Sequence, residues 1–303
     1  MSQITKDQHY VPQFLLRKFT DRGQLNRFDK ITGRTKTNSP KAFGYEEFFY
    51  EDPDITQKAG SMNSVEKELG RLEGVWGAIL KDVLLRVRTG ASSILSSYEQ
   101  HEFAIMLAIQ GLRTRQFRDQ VFQNAHRLRD ELLKRGWNSE ASLPKPDGAH
   151  ARRVQLSMLL DPMMIDELCG VLLNHIWVYF RTVDYRVPKF YTSDSPLVRR
   201  GHETTLMRGG EGLNSRGVEI AFPLSPDVIL VLFERAHHGH QHAAFEGMVR
   251  TTDQQLVDYY NFLQVERSRQ WLFSLDKDFQ FAKDCCEVYP ELRNPNRPRG
   301  KIA

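Results

Sequence analysis

Apolar residues recur every three or four positions in three long stretches of the chain, which is the spacing of an amphipathic helix. The first predicted helix runs from Ser64 to Arg88, and the second from Ser97 to Leu133. The third covers residues 161–180, with Asp161 as its expected N-terminal cap. A short fourth helix is predicted to begin at Pro12, because proline is favoured at the first helical position. The middle of the chain is therefore expected to be mainly helical.

Shorter apolar runs predict strands on either side of this helical region. Residues 24–38 are expected to form a hairpin, with Gly33 at the turn position that needs a positive φ. Residues 218–234 contain two strands joined by Pro223–Asp227, and residues 269–276 form another. These short segments come from distant parts of the chain and should meet in one sheet.

This order of elements predicts an α+β fold, in which a central bundle of long helices packs with a small, mostly antiparallel sheet. The chain has 303 residues and no clear linker, so we expect a single domain over residues 1–290. Residues 291–303 are rich in proline, asparagine and basic side chains, with little apolar surface to bury. We expect them to form a disordered basic tail.

Composition narrows the class of protein. Hydrophobic residues make up 40% and charged residues 26%, which is typical of a soluble globular domain. No run approaches the roughly 18 apolar residues of a membrane span, so no membrane association is expected. Three cysteines without metal-site or redox spacing predict a reducing, cytoplasmic location. A net charge of +4 permits a nucleic-acid partner without requiring one.

Polar residues stand where the helical pattern predicts buried surface or a helix end. His9 and Tyr10 directly precede the helix at Pro12, where free backbone N–H groups suit an anion. Gln110 and Thr114 interrupt the apolar stripe of the second long helix, and Arg113 lies at its border. A buried polar group without a partner costs roughly 1–3 kcal/mol, so the side chains of this segment should meet other polar groups. They form either a structural network or a ligand site.

Three carboxylates are further candidates. Glu66 and Glu73 share one face of the first long helix with two glycines, which indicates either close approach of another group or a solvated acidic edge. Asp194 lies in the predicted turn 193–196, as a catalytic group or as a carboxylate that caps its own backbone. The histidines of residues 237–242 are expected in an exposed loop rather than at a metal.

Five segments taken together resemble a known family: HYVPQFLLRKF, VEKELGRLEG, IQGLRTR, FYTSDSP and FPLSP. They are similar to the motifs of a bacterial family catalogued as domain of unknown function 4238, over about residues 8–275. Ser195 replaces the more common asparagine, and Arg115 stands where proline often follows the Arg-Thr pair. The resemblance implies that the motifs form one unit and carries no activity.

The candidate residues combine a histidine for acid–base chemistry, carboxylates for a divalent metal and an arginine for phosphate. We therefore expect a nuclease-like phosphodiester hydrolase, acting on RNA or DNA as an effector in bacterial defence or conflict, with Mg²⁺ or Mn²⁺ as the metal. Its expected catalytic residues are His9, Glu66 and Asp194, and its expected substrate-binding residues are Tyr10, Gln110 and Arg113.

The alternative is a non-enzymatic binding or sensor module whose motif residues form a structural polar core, with a protein partner or a second copy of the chain as further options. The two hypotheses differ in geometry. An enzyme needs these residues in an accessible cleft, whereas a scaffold has them sealed and hydrogen-bonded to one another.

Overall fold

The fold is described from a computed structural model. It covers residues 5–53, 64–137, 145–184, 186, 188–203 and 212–297. Within these residues the chain forms nine α-helices and eleven β-strands. The helices are α1 (Gln13–Leu16), α2 (Ser64–Thr89), α3 (Ser97–Leu112), α4 (Arg115–Lys134), α5 (Gly148–Leu159), α6 (Pro162–Leu173), α7 (Arg235–His242), α8 (Gln254–Arg267) and α9 (Gln280–Val288).

The strands belong to three sheets. They are β1 (Asp7–His9), β2 (Leu25–Asp29), β3 (Thr35–Asn38), β4 (Tyr45–Glu47), β5 (Ile176–Arg181), β6 (Thr192–Ser193), β7 (Val198–Gly201), β8 (Val218–Ser225), β9 (Val228–Phe233), β10 (Val249–Thr251) and β11 (Trp271–Ser274). The largest sheet has the order β10-β5-β9-β8-β7, the second β3-β2-β11-β6, and β1 pairs with β4. Only β10 and β5 run parallel among the described ladders. The α+β class is therefore confirmed.

The five-stranded sheet is buried on both faces. On one face, Tyr179 and Leu230 join the main core formed with the long helices. On the other face, Val178 and Val231 pack with α8 through residues such as Tyr260. Because this sheet lies between two cores, a central position for the long helices is not confirmed.

The predicted second helix is interrupted. Helix α3 ends at Leu112, and α4 begins at Arg115. Between them Thr114 is extended and caps α4, with its hydroxyl accepting from the Phe117 N–H at 3.1 Å. Threonine can compete with helical backbone hydrogen bonds in this way, so the apolar stripe alone did not reveal the break.

The third predicted helix is half wrong. Asp161 caps α6 as expected, but the helix ends at Leu173 and residues 176–181 form strand β5. The sequence IWVYF is rich in β-branched and aromatic residues, which fit a strand. A continuous apolar run does not by itself distinguish a buried helix from a buried strand.

The turns and loops predicted from the sequence differ in how well they match the structure. The hairpin β2–β3 has Gly33 at a φ of 70°, as predicted. Strand β8 continues through Pro223, which was expected in a connecting turn. The segment 237–242, expected as a loop, belongs to helix α7, where Glu234 caps the first turn.

No helix in the described part of the chain has the length and apolar character to cross a membrane.

The first part of the predicted tail is packed. Pro290–Arg293 form a 3₁₀ turn in which Leu292 is buried. Arg297 is also buried, and its guanidinium donates to the backbone carbonyls of Glu266 and Ser268. Arg297 thus serves as an internal donor, which composition could not indicate. Residues 298–303 lie outside the described residues.

Candidate functional site

His9 is held at the edge of the main core by the pairing of β1 with β4. Its ring packs on Tyr45 with centroids 5.5 Å apart, and Gln13 Nε2 lies 3.4 Å from its Nε2. Burial lowers the pKa of His9, against opposing effects of the Lys41 backbone and the Glu73 carboxylate. The neutral imidazole is therefore favoured, and the ring is largely shielded from solvent.

The two backbone N–H groups just before Pro12 are already hydrogen-bonded. The N–H groups of Tyr10 and Val11 both donate to the Gly44 carbonyl, at 2.9 and 3.1 Å. Helix α1 has only four residues and no side-chain cap. These two N–H groups join the N-terminal segment to the β4 region and are therefore not free for the expected anion.

Arg113 forms the centre of a sealed polar cluster. Its side chain is 1% exposed, and all three guanidinium nitrogens have protein partners. Nε donates to the Tyr50 hydroxyl at 3.0 Å, Nη1 to Glu73 Oε1 at 2.8 Å, and Nη2 to the His9 carbonyl. Burial would lower the pKa of Arg113, but Tyr50 and Glu73 outweigh this effect and raise it. The side chain thus remains charged and ties three segments together.

Glu66 approaches the same cluster from α2. Burial raises the pKa of Glu66 to about 7, with Arg113 opposing the shift and Glu73 adding to it. Its carboxylate is hydrogen-bonded by the backbone of His9. Glu66 therefore meets His9 through the backbone of His9. Glu66 Oε2 is buried without a hydrogen-bond partner among the described residues.

Gln110 and Tyr10 form a second contact between the N-terminal segment and α3. Gln110 is buried, as its place in the apolar stripe predicts, and its Nε2 donates to the Tyr10 carbonyl at 3.1 Å. The Tyr10 ring packs on Phe49 with centroids 5.3 Å apart. Burial raises the pKa of Tyr10 well above its usual range, and the charge of Asp194 adds to the shift. Both residues act as internal packing and hydrogen-bonding groups.

Asp194 serves a different segment. Its carboxylate accepts from three consecutive backbone N–H groups, those of Arg269 at 2.8 Å, Gln270 at 2.7 Å and Trp271 at 2.9 Å. Asp194 was expected to be catalytic or to cap its own turn, and it instead caps the distant segment that leads into β11. Its lone pairs are directed at backbone donors.

Five of the six predicted site residues thus meet around one N-terminal segment, and most of their contacts are internal hydrogen bonds. The five are His9, Tyr10, Glu66, Gln110 and Arg113. Among the residues that the structure describes, no group of three or more His, Cys, Asp or Glu side chains is placed to hold a metal ion.

A cavity of about 420 Å³ lies next to the segment that follows Arg113. It lies beside the break between α3 and α4, and residues interleaved with the motif positions form its wall. Gly111 and Thr114 come from the IQGLRTR segment, and Ser195 and Leu197 follow Asp194. A Cβ on Gly111 would lie 3.3 Å from Leu197 Cδ2, so glycine allows these two segments to approach closely. The motifs therefore shape the cavity as well as the polar cluster.

The cavity combines apolar walls with a few polar groups. Phe117, Leu168 and Leu197 are among its apolar residues. Gln116 is 8% exposed, and its Oε1 has no hydrogen-bond partner among the described residues. Sequence reasoning missed Gln116, because on α4 it reads as an ordinary polar residue and only the packing of α5 and α6 buries it.

Comparison with known proteins agrees with the motifs. No curated protein matches the chain, and no solved structure matches it. A family model described as a protein of unknown function, DUF4238, matches residues 7–278. This range contains all five motif segments and most of the chain, so the chain belongs to the DUF4238 family.

Proposed function

We propose that this protein is a non-enzymatic binding module that holds a small amphipathic anion in the cavity beside the α3–α4 break. In this proposal the motif residues are the scaffold that fixes the cavity wall. The observation that carries it is the 420 Å³ cavity, with the buried and unpartnered Gln116 Oε1 on its wall. Small-molecule sites in proteins are commonly apolar cavities of roughly this size with a few placed polar groups.

The contacts that Arg113 already makes favour a structural role for this residue over a phosphate-binding role. A guanidinium binds phosphate through a fork of N–H donors, and this fork is already used by Tyr50, Glu73 and the His9 carbonyl. A phosphate could bind there only if these buried contacts broke. Asp194 is engaged in the same way, by three backbone N–H groups.

The lining residues indicate the class of ligand. Arg199 and Arg267 contribute positive charge to the wall, and Arg267 Nε also pairs with Glu266 Oε2 at 3.2 Å outside it. No Asp or Glu is found among the described residues of the wall. The free Oε1 of Gln116 is an acceptor, so a ligand with an N–H or O–H donor would satisfy it. Leaving such a group unpaired costs roughly 1–3 kcal/mol. The best fit is an apolar body that carries one acidic group and one donor.

The dye 8-anilinonaphthalene-1-sulfonate has these three features, namely aromatic rings, a sulfonate and an N–H group. We expect the folded protein to bind it, as measured by a fluorescence titration. Gln116→Leu should weaken binding by about tenfold, which corresponds to roughly 1.4 kcal/mol for the lost hydrogen bond. Gln123→Leu is the matched control, because Gln123 lies on the same helix but not on this cavity wall.

Equal dissociation constants for wild type and Gln116→Leu, or no binding by wild type, would count against the cavity as the ligand site. Thermal unfolding of each variant must accompany the titration, because the dye also binds partly unfolded protein.

The nuclease hypothesis is tested separately, with RNA and DNA in the presence of Mg²⁺ or Mn²⁺. The proposed binding module is expected to leave both polymers intact. If the wild type cleaves either one, and His9→Ala abolishes cleavage without lowering the melting temperature, the motif residues are an active site and the binding-module proposal fails.

A further inference from the structure

A second cleft, of about 580 Å³, lies on the α8 side of the five-stranded sheet. Phe180 from β5, Glu219 from β8, and Tyr259 and Tyr260 from α8 are among its wall residues. Phe180 and Tyr260 pack in the second core, so the cleft is on the opposite face of the sheet from the long helices. Its described wall shares no residue with the cavity beside α3 and α4. A ligand here would therefore be independent of the one proposed above.

Four aromatic rings of the wall are inclined to one another. The Phe180 centroid lies 6.5 Å from that of Phe233 with the planes at 80°, and 6.3 Å from that of Tyr260 with the planes at 40°. The centroids of Tyr259 and Tyr260 are 5.0 Å apart, with the planes at 64°. The face of each ring carries partial negative charge, so a wall built from several such rings is suited to an organic cation.

Glu219 places a buried negative charge beside these rings. Its Oε2 lies 2.7 Å from His202 Nε2 and accepts the Tyr259 hydroxyl at 3.1 Å, and Tyr260 also donates to the carboxylate. Burial would raise the pKa of Glu219, but these hydrogen bonds outweigh burial and the pKa is lowered. Burial raises the pKa of both tyrosines, so their hydroxyls are neutral donors. The carboxylate is therefore ionised, and these two donors do not cancel its charge.

Apart from histidine, the described wall carries two negative charges and one positive charge. The negative charges belong to Glu219 and Asp253, and the positive charge belongs to Arg250. Burial lowers the pKa of His242, which favours its neutral form. The Arg250 guanidinium stacks on Phe245, which is not among the described wall residues, with its central carbon 4.0 Å from the ring centroid. The balance of charge thus favours a positively charged ligand.

The donors that already bond to Glu219 narrow the class of cation. A primary or secondary ammonium has N–H groups that need acceptors, and at Glu219 it would have to displace a tyrosine or histidine donor. A quaternary ammonium has no N–H group, so aromatic faces and the charge of a nearby carboxylate are sufficient to hold it. The occupied hydrogen bonds of Glu219 therefore favour a quaternary ammonium over other organic cations.

We propose that this cleft binds a small quaternary ammonium ion, with Glu219 as its buried counter-charge and the ring of Tyr259 as one of the aromatic faces that contact it. Binding changes no covalent bond of the ligand, as expected of a binding module. The proposal does not depend on the anion cavity beside α3 and α4.

The test is a calorimetric titration of the full chain with choline at pH 8, which favours the neutral form of histidine side chains. The control ligand is 3,3-dimethylbutan-1-ol, which has the shape of choline with carbon in place of the charged nitrogen. We expect the wild type to bind choline at least about tenfold more tightly than the alcohol, because the two ligands differ in charge.

Two variants of Tyr259 separate its ring from its hydroxyl. Tyr259→Leu removes an aromatic face and should weaken choline binding by about fivefold. Tyr259→Phe keeps the ring and should weaken binding by less than about twofold.

The charges of the wall are tested in both directions. Glu219→Gln should weaken choline binding by about tenfold, whereas Arg250→Gln should tighten it by about twofold, since it removes the one guanidinium of the described wall. Glu203→Gln is the matched control for Glu219→Gln and should bind like the wild type. Glu203 Oε1 lies 2.7 Å from His237 Nδ1, the same kind of contact at the same distance, and neither residue is on the described wall.

No binding of choline at about 10 mM by the wild type would overturn the proposal. Equal affinity for choline and the alcohol would also overturn it, as would weaker choline binding by Arg250→Gln. Melting temperatures identify a variant that fails to fold. If Glu219→Gln fails to fold, Asp253→Asn replaces it, because asparagine keeps the cap of α8 and removes the charge. Gln116→Leu should bind choline like the wild type, so a failure of this site is distinguishable from a failure of the cavity.

Sedimentation with phosphatidylcholine vesicles distinguishes a free ion from a lipid headgroup of the same chemistry. We expect the protein to stay in the supernatant, because the headgroup phosphate would lie close to the carboxylates of the cleft. Sedimentation that choline reverses would instead assign the recognised quaternary ammonium to a lipid.

Discussion

Replacing Arg113 with alanine should lower the free energy of unfolding by about 3 kcal/mol. Breaking a buried ion pair by removing one partner typically costs about 3–5 kcal/mol. The lower end applies because the Glu73 side chain is 20% exposed, so water can replace part of its lost contact. The Tyr50 hydroxyl and the His9 carbonyl lose their contacts with the guanidinium in the buried interior.

Arg113→Lys should cost less, roughly 1–2 kcal/mol. The ammonium keeps the charge and can still reach Glu73, but it lacks the fork that serves Tyr50 and the His9 carbonyl at the same time. The expected order of stability is wild type, then Arg113→Lys, then Arg113→Ala. A phosphate site would predict a different result, with function lost in both variants and stability nearly unchanged.

The measurement is urea unfolding followed by circular dichroism, supported by thermal melts. At roughly 2 °C per kcal/mol for a chain of this size, Arg113→Ala should melt about 6 °C lower. Arg71→Ala is the control, because Arg71 pairs with Glu68 on the exposed surface and should barely affect the melt. A loss below about 1 kcal/mol for Arg113→Ala would refute the scaffold interpretation of the cluster.

Three further variants test the neighbouring contacts. Burial raises the pKa of Glu66 to about 7, so between about pH 4.5 and 7 this carboxyl is protonated in the native state and ionised in the unfolded state. The free energy of unfolding therefore falls as the pH rises through this range. Glu66→Gln should therefore raise the melting temperature more at pH 8 than at pH 5, and an equal shift at both would contradict that pKa. Asp194→Ala removes an acceptor from three backbone N–H groups and should cost at least about 3 kcal/mol in urea unfolding, with Asp194→Asn losing less. Gln110→Leu leaves the Tyr10 carbonyl unpaired but also removes the unpaired Gln110 Oε1, so the free energy of unfolding should fall by only about 1 kcal/mol. A fall of more than about 3 kcal/mol in urea unfolding would mean that the Oε1 has a partner.

The sequence by itself determined the features that depend on neighbouring residues. The hairpin turn at Gly33 and the cap at Asp161 were predicted correctly, because a positive φ and a free helical N–H are local requirements. The burial of Gln110 and Arg113 also followed from the sequence, since one face of a helix must pack on the core. The five motifs identified the family in the same way, by short segments in a fixed order.

Only the tertiary structure decided which partners these residues meet. The change from helix to strand at residues 176–181 depends on neighbouring strands that pair with IWVYF, and no local signal encodes them. Asp194 and His9 were expected in one site, yet each binds backbone groups or rings from segments far away in the chain. Gln116 became a candidate only when helices and strands enclosed a cavity around it. A cavity is defined by surfaces from several distant segments, so its position depends on how those segments pack and not on the pattern within any one of them.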